Sequence, residues 1–138
     1  MAKKKFKPSP YTFLFLRVVL GLLFLYQGFG KLSALFSGGP GPIEFFASLG
    51  IPAAGFFAWA VALAEFFGGL FLVLGFLTWW SSLVLAVIMV VATALTTLAP
   101  FNAANFLTHL VYVSGLVTLM LGKDTYLAID DKCGWKQY

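Results

Sequence analysis

Six polar side chains stand inside otherwise apolar stretches of this chain: Arg17, Gln27, Lys31, Glu65, His109 and Tyr112. Together they offer a carboxylate, two cations, an imidazole, an amide and a phenol. Gln27 and Lys31 are one helical turn apart. Asn105, Thr108, His109 and Tyr112 recur at i, i+3, i+4 and i+7, which places them on one side of a helix. Hydrogen-bond donors of this kind among aromatic and aliphatic walls could hold a quinone head group, which needs donors at its carbonyls and an apolar lining for its ring. A single His near a helix end is equally at home as a satisfied interfacial group. Glu65 and Arg17 are the obvious charge partners, because an unpaired carboxylate at membrane depth is costly and a long arginine side chain can reach inward. Such a pair would either fix helix register or handle a ligand or proton. Gly21, Gly28, Gly68 and Gly69, with Ala54, Ala58 and Ala62, supply the small surfaces that let helices approach closely around these charges.

Other chemistries lack their residues. His109 is the only histidine, so the bis-imidazole ligation common for a buried b-type haem is not available from this chain alone. Cys133 is the only cysteine, which excludes an internal disulfide and a dithiol pair that would pass electrons to quinone. No Cys/His set for zinc, no Gly-rich phosphate loop and no Ser/His/Asp arrangement is present. The expectation is no metal and no catalytic residue acting alone. Nothing points to nucleic acid.

What positions these groups follows from the charge pattern. Between Glu65 and Lys123 lie 57 residues without Asp, Glu, Lys or Arg. A soluble domain of 138 residues exposes too much surface for that, so the solvent is lipid. The 61% hydrophobic and 10% charged composition, against about 25% charged in soluble domains, agrees. A hydrocarbon core of ~30 Å takes about 20 helical residues. Four such segments are delimited by breakers, at about 12–30, 53–76, 79–98 and 104–121, with tails 1–11 and 122–138 in a single domain, 1–138. Helices are required because open strands would leave backbone groups unpaired in lipid. The expected architecture is an all-α, up-down-up-down four-helix bundle. Pro100-Phe101-Asn102 ends the third helix, and Gly75 to Thr78 makes a tight turn before it. Ser37 to Pro42 is a flexible turn, and Pro42 can start a short helix over Ile43 to Leu49 that lies at the interface or folds over the bundle as a lid.

Seven of the nine cations precede the first helix or follow the fourth: Lys3, Lys4, Lys5, Lys7, Lys123, Lys132 and Lys136. The excess of positive charge predicts both termini in the cytoplasm. Arg17 interrupts the first apolar run and no small-residue cleavage site follows it, so the first helix reads as a retained span. On this geometry Glu65, twelve residues into the second helix, lies about 18 Å from the outer end, near the midplane.

The pattern Arg17-x3-Gly21-x6-Gly28-x2-Lys31-Leu32, then Phe45-x3-Leu49-Gly50-Ile51-Pro52, then Glu65-x2-Gly68-Gly69-x2-Leu72-x2-Gly75-x2-Thr78 resembles the DoxX family of small four-helix membrane proteins. The resemblance runs from about Arg17 to Ala94. The family is similar to the membrane subunit of a thiosulfate:quinone oxidoreductase, and some members associate with membrane redox or thiol-homeostasis complexes. The resemblance implies a multi-pass protein of a prokaryotic plasma membrane. Arg17, Lys31 and Glu65 are the residues it singles out. It also implies a subunit of a redox complex that offers a quinone-facing bundle to a partner holding the redox centre. An accessory subunit that packs against a larger membrane complex and binds lipid is the alternative. A solute or proton transporter would need a homo-oligomer, since four helices enclose little water.

Overall fold

The computed structural model describes residues 9–39, 41–98, 102–122 and 128–132. The elements are α1 (Pro10–Phe36), α2 (Pro42–Ser48), α3 (Ala54–Leu74), α4 (Thr78–Leu98), α5 (Ala103–Leu121) and α6 (Ile129–Lys132). Four of them, α1, α3, α4 and α5, are long and apolar enough to cross a membrane. The expected all-α bundle with a short helix between its first two spans is what forms, and the protein is a multi-pass membrane protein.

Helix α1 continues six residues past Gly30. Gly30 is exposed and nothing in its surroundings forces a turn, so the helix runs on until Ser37 and the left-handed Gly38 end it. Lys31 therefore sits inside a helix, on a definite face. Pro42 opens α2 at its first turn and Glu44 lies beside its N-terminus, both favourable there. Asn102 caps α5 by accepting from the backbone N–H groups of Ala104 and Asn105 at 3.0 and 3.3 Å. The expected stop at Pro100 and Phe101 lies outside the described residues, as do Lys3, Lys4, Lys5, Lys7, Lys123, Lys136 and Cys133.

Packing is tightest where glycines face helices. A Cβ on Gly28 would strike the backbone of Phe66, and one on Gly69 would strike the backbone at Leu25 and Gly21. Gly21 meets Val73 and the Gly69 carbonyl in the same way, so α1 and α3 touch backbone to backbone along an antiparallel seam. Lipid tails are as apolar as leucine, so close van der Waals contact of this kind is what holds membrane helices together. Gly68 looks the other way and leaves room for the Leu85 side chain of α4. Phe24, Leu72, Leu85 and Leu116, one from each long helix, meet fully buried in the centre. Large apolar side chains such as Phe15, Tyr26 and Leu121 point outward, as lipid-facing residues do.

The short α6 was not anticipated. Asp130 is buried, and its carboxylate accepts from Leu77 N–H at 2.8 Å, Thr78 N–H at 3.0 Å and Thr78 Oγ1 at 3.1 Å. It thereby closes the first turn of α4, whose leading N–H groups have no partner within the helix. Its own N–H donates to Gly75 O at 3.1 Å. Leu77 is held in the left-handed region at φ 47°, a conformation that costs a non-glycine residue roughly 1 kcal/mol and that these bonds fix in place.

Candidate functional site

Glu65 is completely buried in α3, and its partner is Lys31. The ammonium donates to both carboxylate oxygens at 2.5 Å. The expected pairing with Arg17 is thus corrected, and the reason is register. The seam sets Gly28 against Glu65 and Phe66, so Lys31, three residues further along α1, stands one turn from the carboxylate. Arg17, eleven residues before Gly28, is about 16 Å away along the axis. It lies instead at the end of the bundle where the chain enters and leaves, buried beside Gly75 and facing the charge of Asp130.

The Lys31–Glu65 pair forms part of the lining of a cavity of about 500 Å³. Gln27 joins it from α1, and Asn105 and His109 from α5. Apolar walls come from Val61 on α3 and from Val87, Ile88, Met89, Val91, Ala92 and Leu95 on α4. Pro42, Phe45 and Phe46 of α2 cover it, so the short helix folds over the bundle. His109 Nδ1 is shielded from solvent and has no hydrogen-bond partner among the described residues. Lys31 is close enough for its charge to act on the imidazole.

Of the four residues expected to form a polar ligand site, Gln27, Lys31 and His109 come together. Tyr112 does not line the cavity: its ring stacks at 52° on Phe24, 5.4 Å between centroids, against the central core. It sits three residues beyond His109, on the same broad face but nearer the middle of the bundle. Glu65 takes its place in the constellation. Its spacing could not be linked to Lys31 from sequence without the α1/α3 register. Among the described residues no group of three or more His, Cys, Asp or Glu side chains gathers as a metal site.

The cavity is chemically neutral and amphipathic. The ammonium and the carboxylate cancel, so no net charge awaits an ion, while the third N–H of Lys31, the Gln27 and Asn105 amides and the imidazole remain for a neutral ligand with carbonyl or hydroxyl groups. A profile of the DoxX family matches residues 12–98, which carry α1 to α4 and most of this lining. The chain is a member of the DoxX family. A relative from Bacillus subtilis (strain 168) bears the name "Putative oxidoreductase CatD"; it is 30% identical over 118 residues, 85% of this chain and 83% of that protein. Another, "Uncharacterized membrane protein Rv3486" of Mycobacterium tuberculosis (strain ATCC 25618 / H37Rv), is 36% identical over 99 residues, 72% of this chain and 59% of that protein. No solved structure matches significantly. In this DoxX protein the seam glycines, Lys31 and Glu65 all fall inside the matched region, whereas Asn105 and His109 lie beyond it.

Proposed function

We propose that this DoxX protein is the membrane subunit of a redox complex and receives a quinone head group in the cavity between α1, α3, α4 and α5, with electrons supplied by a redox centre in a partner protein. The observation that carries the reading is the cavity's composition: an internally neutralised Lys31–Glu65 pair, a shielded imidazole nitrogen on His109 with no partner among the described residues, the Gln27 and Asn105 amides, and otherwise apolar walls. A quinone takes up two electrons and two protons to become a quinol. Lys31 and Gln27 would bond one carbonyl and His109 the other, and one proton would pass to each oxygen, from Lys31 at the first and from His109 at the second. The name of the Bacillus subtilis relative is in keeping with this. In the cell both termini would lie in the cytoplasm, with the partner docking on that side or against α5.

The test is isolation of the native complex in mild detergent. A flavin, iron–sulfur, haem or thiol-active partner should copurify, quinone should appear in organic extracts, and His109→Leu should slow quinone reduction without dissociating the complex. A complex lacking any redox centre and any extractable quinone overturns the reading. One observation favours the alternative of an accessory subunit: α5 buries only 11% of its apolar window, against 28–33% in the other spans, leaving a broad face for a larger membrane protein. That outcome would show α5 covered by a partner and the cavity filled by lipid or side chains.

A further inference from the structure

The cavity is not sealed by protein on the side of α4. Val87 and Val91 line it, yet they are 54% and 50% exposed, one helical turn apart, and Phe45 of α2, 52% exposed, stands at the same rim. Val87 lies nine residues into α4, about 14 Å from its start, so this rim opens at mid-bilayer depth rather than into water. The side chains of Val87, Val91 and Phe45 bring no polar atom to this rim. The polar groups come from the other helices, α1, α3 and α5.

We infer that the ligand of this site is lipid-tailed, and that its apolar chain leaves the cavity sideways into the bilayer over Val87 and Val91 while its polar head rests at Lys31, Glu65 and His109. This deepens the quinone reading and rests on it. The polar end, where Asn105 is exposed and Lys31 partly so, could admit a small ligand from water, but such a ligand would gain nothing from the valine channel. A tailed quinone reaches the polar wall without leaving lipid, and its chain covers apolar surface along α4 that a short analogue leaves bare. The apolar opening and the internally neutralised ion pair thus favour a tailed, uncharged quinone over a small anion.

The test compares a long-tailed quinone with a tailless one in nanodiscs, for the protein and for Val87→Trp, Val91→Trp and a control, Val90→Trp, which alters an equally exposed α4 position outside the cavity. Trp at the rim should weaken long-tailed binding about tenfold and leave the tailless analogue within about twofold, with the control unchanged. Photocrosslinking with a tail-labelled quinone on the unmodified protein gives an answer independent of the variants' folding; adducts should fall on α4 around residues 87 to 91 and on Phe45. Equal losses for both ligands, no loss for either, or adducts on the outer face of α5 overturn the sideways route while leaving the head-group site standing. Labelling displaced by excess phosphatidylethanolamine but not by tailless quinone assigns the rim to a membrane lipid and also overturns it. Absence of binding by either quinone to the unmodified protein brings down the head-group reading and this inference with it.

Discussion

Lys31 and Glu65, 34 residues apart, form a two-oxygen ion pair across the α1/α3 seam, with the carboxylate fully buried and the ammonium side chain 32% exposed toward the cavity. This asymmetry gives the pair two tasks. It pins the register of the tightest helix contact, and it presents a donor whose charge is already balanced.

The pair should behave as a coupled unit. Lys31→Met leaves the fully buried Glu65 carboxylate without its partner and should lower stability in detergent by on the order of 3–5 kcal/mol. Glu65→Leu leaves only a partly exposed ammonium and should cost less, and the double replacement should be much milder than Lys31→Met. A double-mutant cycle on thermal melting measures the difference. Strict additivity would show that the two side chains do not depend on each other.

The seam glycines provide an internally controlled comparison. Gly28→Ala drives a methyl group into the Phe66 backbone, which cannot yield as a flexible side chain can, and should destabilise by roughly 1–3 kcal/mol or more. Gly30→Ala, two residues away with open space around it, should be neutral or stabilising by up to about 1 kcal/mol. Equal effects in detergent melts would contradict the backbone-to-backbone seam.

Asp130 ties the tail to three helices at once. Asp130→Ala removes the acceptor at the start of α4 and the carboxylate facing Arg17, and loss of a helix cap alone is worth about 0.5–2 kcal/mol. Amide exchange at Leu77 and Thr78 should accelerate while that of α5 near His109 is unchanged. Unaltered exchange at Leu77 would mean the carboxylate does not hold the turn.

Orientation is open to a direct probe. Cys133 should resist an impermeant maleimide added to intact cells and react once the membrane is opened, as the seven-cation bias toward the terminal ends predicts. Full labelling from outside would invert the topology and move the cavity to the other leaflet.

The helices were legible because lipid imposes a simple rule: about 20 apolar residues between breakers make a span, and Pro42 and Gly75 mark their own turns. The same rule hides pairing. Nothing in the spacing of Arg17, Lys31 and Glu65 says which cation meets the carboxylate, because that depends on how far two helices slide before glycine meets backbone. The Gly28 contact with Phe66 settles it in favour of Lys31. Tyr112 shares the i, i+3 side of His109, but three residues turn it about 60° around the helix and carry it one turn along, where its ring meets Phe24 rather than the cavity. Asp130 was invisible for another reason: in a tail containing Lys123, Lys132 and Lys136, two adjacent acids read as solvated charge, and only the returning chain shows one of them buried at 2% exposure.

Binding of a quinone head group in the cavity is measured by an isotherm for a tailless quinone with the purified protein in nanodiscs, run beside His109→Leu. Saturable binding that raises the melting temperature is predicted, with His109→Leu weakening it about tenfold through the lost hydrogen bond while melting unchanged without ligand. No saturable binding, or equal affinity for both proteins, would contradict the assignment.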